Sequence, residues 1–151
     1  MKFMIMLHLL GIVIWVGGMF FAHQILRPVA ADRLEPPLRL PLWVGVFKRF
    51  FPWVWICIAL VLLCGLFMIG FLGGMGRVPL YVHAMLGTGT IMMAIFAYVF
   101  FVPYARLKQA VVNQDWKAGG ASLANIRQLV GINLVLGLIT IVIATAGAML
   151  A

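Results

Sequence analysis

Four stretches of this chain hold no Lys, Arg, Asp or Glu: Phe3 to Leu26, Phe50 to Gly76, Val78 to Ala105 and Gln128 to Ala151. Each exceeds the roughly 20 residues with which an α-helix crosses a hydrocarbon core of about 30 Å. Lipid offers the backbone no hydrogen-bond partners, so uncharged runs of this length read as helices that satisfy themselves. The sequence therefore predicts an all-α polytopic membrane protein, an up-and-down bundle of four transmembrane helices forming one domain over residues 1–151. The expected helices cover about 3–24, 51–72, 79–101 and 123–149, with long connections at about 25–50 and 104–122. Lys2 before an apolar run also resembles the start of a signal peptide. A signal core is only about 7 to 15 residues long, however, and no A-x-A site follows, so the first stretch reads as a retained helix.

The formal net charge of +8 would suggest nucleic acid as the partner of a soluble chain. Here its distribution points to a bilayer instead. Arg27, Arg33, Arg39, Lys48 and Arg49 lie in the first connection and Arg106, Lys108, Lys117 and Arg127 in or beside the second, against only Lys2 and Arg77 elsewhere. By the positive-inside rule both long connections are cytoplasmic, and both termini and the 74–79 loop face outward, which in a bacterial inner membrane is the periplasm. The acids Asp32, Glu35 and Asp115 all fall in the connections, which excludes an intramembrane carboxylate relay or hydrolytic dyad. Arg27-Pro28 is expected to close the first helix. Pro28, Pro36, Pro37 and Pro41 predict an irregular segment on the inner membrane surface, held by Leu34, Leu38, Leu40, Leu42 and Trp43 among the arginines. "WKAGGAS" reads as a break, with Ser122 as the N-cap of the last helix.

Three histidines could supply ligand nitrogens: His8, His23 and His83. His8 lies about 7 Å inside the outer end of the first helix at 1.5 Å per residue, and His83 is nearly as deep in the third. His8, Gly11, Trp15, Gly18 and Ala22 step by three and four, so they share one stripe, with glycines on either side of the Trp that predict a groove one ring wide. Gly87 follows His83 by one turn and offers similar clearance. Facing side chains at one depth in a bundle can share a cofactor, and haem b between two histidines fits that arrangement. Arg77 would then lie near enough to pair with a porphyrin carboxylate or a lipid headgroup. Met4, Met6 and Met85 stand near the same histidines, and a thioether and imidazole set also suits Cu(I). His23 falls near the inner interface, as an anchor or as a second ligand site without a partner histidine. Cys57 and Cys64 are about 10 Å apart along one helix face, too far for a disulfide, and read as packing thiols.

"LHLLGIVIWVGGMFF" resembles the L-H-x-x-x-x-x-x-W-x-G-G opening of the copper-resistance protein D family and of the related bacterial membrane protoporphyrinogen oxidases. "YVHAML" is similar to the W-L-H-A-K-L of the oxidases, with Met85 in place of their lysine, and "IRQLVGINLVLGL" to the closing helix of short members of the copper family. The oxidase likeness implies haem b on His8 and His83. The copper likeness implies copper handling across the inner membrane.

Three readings follow. In the first, His8 and His83 bind haem b, with Gly11, Trp15, Gly87 and Arg77 shaping its slot, in electron transfer or as a haem-dependent oxidoreductase with a quinone or porphyrin-like partner. In the second, copper is bound or imported through Met4, Met6, His8, His83 and Met85. In the third, the protein is a cofactor-free assembly factor. A homo-oligomer is compatible with all three. The topology has a direct check: in intact spheroplasts a membrane-impermeant maleimide should label Gly76→Cys and spare Asn113→Cys, and the reverse pattern would invert the orientation.

Overall fold

The computed structural model describes residues 1–150 and consists of helices joined by short links. Four of its helical units are long and apolar enough to cross a membrane: Lys2–Arg33, Pro36–Phe71, Leu80–Val112 and Trp116–Leu150. The first is α1 (Lys2–Phe20), a π-helical segment (Phe21–Leu26) and α2 (Arg27–Arg33). The second is α3 (Pro36–Phe71). The third is α4 (Leu80–Phe101) and α5 (Pro103–Val112), and the fourth is α6 (Trp116–Leu150). α1 packs chiefly on α3, and α4 and α5 on α6. One end of the bundle carries the N-terminus, the end of α6 and the 72–79 loop, where Gly147 lies against Tyr81. The other carries the 34–35 and 113–115 links.

The first unit does not stop at Arg27-Pro28. Pro28 has no N–H, and its ring would press on the carbonyl four residues back, Gln24. The chain relieves this by widening: the Arg27 N–H bonds to Ala22 O, five residues back, and the helix then continues as α2 with Pro28 in its first turn. α2 ends because Leu34 and Glu35 are extended, with ψ of 130° and 156°. Glu35 precedes Pro36, and a residue before proline is pushed out of the α region.

The irregular surface segment expected at 25–50 is absent: α3 is one helix of 36 residues with Pro41 and Pro52 inside it. Each interior proline removes one backbone bond. Against that, Leu40, Trp43, Phe47, Phe51, Val54 and Ile58 recur at three and four and are all buried, a stripe that only a continuous helix can present to the core. Stacked rings hold it: Trp43–Phe47 centroids are 5.3 Å apart, and Phe47–Phe51 are 4.8 Å apart and nearly parallel at 10°. Tyr104 of α5 meets Phe51 edge-on at 4.9 Å, and Phe96 of α4 does so at 5.3 Å.

α6 likewise begins earlier than expected. Asp115, not Ser122, caps it, its Oδ1 accepting from the Ala118 N–H at 3.0 Å, and "WKAGGAS" is helical. Gly119 is needed there for closeness, since a Cβ would come 2.9 Å from Leu40 Cδ1. The turn at the opposite end uses Gly73 and Gly74 at φ of 96° and 90°, where a side chain would be strained.

One polar side chain is buried in the middle of the bundle. Asn133 of α6 is 3 % exposed and donates Nδ2–H to Met92 O of α4 at 3.2 Å, while its Oδ1 has no partner. One turn on, Gly137 admits Val16 of α1 and Met92 of α4, each about 3 Å from where its Cβ would be. Because the Asn133 carbonyl is desolvated without compensation, Asn133→Leu should leave stability within about 1 kcal/mol of the parent or raise it. Asn133→Asp, burying a charge with no cation beside it, should cost several kcal/mol. Unfolding in mixed micelles measures both.

Candidate metal site

His8 sits on the α1 face turned towards α3. Its Nδ1 lies 2.9 Å from Val61 O, and a Cβ on Gly65 would be 3.5 Å from its Cε1, so Gly65 leaves the imidazole its berth. A carbonyl only accepts, so Nδ1 carries the proton and Nε2 keeps its lone pair. This is the arrangement by which metal-binding histidines are commonly oriented.

The groove expected around Trp15 is filled by protein. A Cβ at Gly11 would meet Val61 Cγ2 at 3.0 Å and Cys57 O at 3.4 Å, so Gly11 serves the close approach of α1 to α3. The Phe50 ring occupies the space at Gly18. Trp15 is 3 % exposed and set edge-on to Phe96 of α4 at 6.5 Å, a core residue rather than the wall of a slot.

His83 occupies the exposed face of α4, its Nδ1–H directed to Pro79 O at 3.3 Å, which again leaves Nε2 free. No atom lies within 4 Å of where a Cβ on Gly87 would be, so the space beside His83 is open. The two depth-matched imidazoles thus turn to different neighbours, His8 inward to α3 and His83 outward. Arg77 is exposed and folds over Gly73, where a Cβ would be 2.7 Å from its Cδ.

Of the thioethers, Met4 is half-buried one turn before His8 on the same face. Met6 is 52 % exposed and about 200° round the helix from His8. Met85 is half-buried on α4. Two further soft side chains lie on α3: Cys64, buried and free, beside Gly65, and half-buried Met68 one turn beyond. The helix register that His8 and Gly11 define against Val61, Gly65 and Cys57 carries Met4 to the level of Met68. Among the described residues no three His, Cys, Asp or Glu side chains gather at metal-binding spacing.

Sequence reasoning missed Asn133, although a lone amide within an uncharged run is the signal that finds it. It also missed that Val61 and Gly65 of α3 border His8, since the facing of α1 on α3 is not written in either helix alone.

No curated protein and no solved structure matches the chain. Residues 44–147 match the family model described as Copper resistance protein D. The matched stretch takes in α3 from Val44, all of α4 and α5, and most of α6, and it begins beyond α1. It covers well over half of the sequence, and the chain belongs to the copper resistance protein D family, multi-pass membrane proteins linked by name to copper resistance.

Proposed function

We propose that the protein takes Cu(I) as its cargo at the seam between α1 and α3, with His8 Nε2 as the anchoring ligand. The observation that carries this reading is the His8 Nδ1 to Val61 O bond of 2.9 Å, which fixes the ring and aims an unprotonated nitrogen away from it. The donor chemistry agrees. With no carboxylate in the charge-free runs, Met4 one turn from His8, and Cys64 and Met68 on the helix that His8 faces, the residues suit a soft monovalent ion and not a hard divalent one. A half-buried imidazole beside thioethers is also a low-charge stepping point, where an ion can exchange ligands without a fixed anion to trap it. The family's link to copper resistance supports the same cargo.

A second reading is favoured by one observation, the open space at Gly87 beside the free Nε2 of His83. There His83 would hold haem b on the exposed face of α4, which would supply one-electron chemistry to a quinone or porphyrin-like partner. His8 is turned away from that face. In a cofactor-free assembly factor, both histidines would serve only their carbonyl bonds.

Purified protein titrated anaerobically with Cu(I) against a competing chelator separates these readings. Stoichiometric copper is expected, weakened at least about tenfold by His8→Ala and measurably by Met4→Leu, with Met6→Leu and His83→Ala near the parent. A Soret band lost in His83→Ala would replace copper with haem. Protein that binds neither would leave the assembly role.

A further inference from the structure

The end of the bundle opposite the termini holds a cleft that the copper reading does not use. It opens between the π-helical segment, the start of α3 and the first half of α6, with a volume of about 210 Å³. Its rim carries His23, Arg27, Arg39 and Arg127, and no carboxylate lines it. Its floor is apolar, made by Leu40, Trp43, Phe47 and Ile126, all buried.

Each part of the rim is set by the fold. The π-helical turn carries His23 against α6, so closely that a Cβ on Gly131 would be 2.9 Å from its Nε2. His23 Nδ1 accepts from Gln24 Nε2 at 3.3 Å, which leaves the ring proton on Nε2. Arg27 follows His23 by one turn, and Arg127 precedes Gly131 by one turn, so the two guanidinium groups arrive from opposite walls. Arg39 spans the hairpin tip, its Nη1 donating to Leu34 O at 3.4 Å and Ala31 O at 3.5 Å, and its remaining N–H groups are uncommitted. Three cations without a carboxylate, set over an apolar floor, match an anion that carries an apolar part of its own. A free inorganic anion would satisfy the rim and leave the floor unused.

We propose that this cleft binds the phosphate of an anionic phospholipid, with the headgroup between Arg27, Arg39 and Arg127 and the start of its apolar part over Trp43 and Phe47. Basic pockets between membrane helices take such headgroups because guanidinium forks match phosphate oxygens and the bilayer supplies the ligand at high local concentration. The site is independent of the copper reading: it lies at the other end of the bundle and shares no residue with it.

The test is lipid binding by the full chain in neutral detergent, read by native mass spectrometry and by thermal unfolding. Phosphatidylglycerol should bind and stabilise, and phosphatidylcholine should not. Arg27→Gln and Arg127→Gln should each weaken phosphatidylglycerol binding about fivefold, the worth of one cation near an anionic headgroup. Lys48→Gln, an exposed cation outside the cleft, should change it less than about twofold. Arg39 is left intact because it also ties down the Ala31 and Leu34 carbonyls. Equal binding of phosphatidylcholine, unchanged affinity in both arginine variants, or an equal loss in Lys48→Gln would overturn the proposal. Stabilisation by inorganic phosphate as large as that by the lipid would overturn the lipid as the source of the anion.

Discussion

The bundle depends on a column of stacked rings on α3. Lipid tails are as apolar as leucine side chains, so helices in a membrane gain little from merely hiding apolar surface and associate through packing and polar contacts. Trp43, Phe47 and Phe51 form a ridge into which Tyr104 and Phe96 set their edges. Such pairs are worth about 0.5–1.5 kcal/mol each beyond area burial. The ridge aligns α3 with α4 and α5, and the same face continues along the helix to Cys57, Val61 and Gly65, where it receives α1. Where α3 is fixed, the berth of His8 is fixed with it.

That berth illustrates how small residues and a single carbonyl can position a ligand without charge. Gly11 draws α1 onto α3, Gly65 makes room for the imidazole, and Val61 O selects its tautomer. The carbonyl lies on an uninterrupted helix, so it accepts the imidazole proton as a second bond beside its helical one. The cost of a polar ring in the membrane is thereby reduced, and the nitrogen that remains is the one suited to a metal.

Depth was legible in the sequence, and direction was not. Charge-free runs mark the four spans because lipid excludes ions, whatever the packing, and the family likeness read in helices three and four lies within the matched 44–147. The levels of His8 and His83 follow from the same runs. Their rotation about the helix axes depends on which helices become neighbours, and α1 chose α3 while α4 chose α6. The glycines around Trp15 look alike in sequence whether a cofactor or a Val61 side chain fills the gap. The prolines misled for a related reason: a rule about one backbone bond was set against a stripe of six buried residues, and the stripe prevails. Asp115 and Ser122 are equally good caps by residue type. The bond from the Ala118 N–H to Asp115 Oδ1 marks the one the helix uses.

The π-helical turn at Phe21–Leu26 has a geometric consequence for the whole first span. Each residue of an α-helix advances about 100° around the axis, so a turn that takes in one extra residue shifts everything beyond it by that angle relative to what precedes it. The face that meets α3 at His8 and the face that presents Arg27 to α6 are thus set in separate phases on one continuous rod. A span built this way carries two unrelated surfaces at its two ends, and the six residues between them act as the coupling that lets each keep its own orientation.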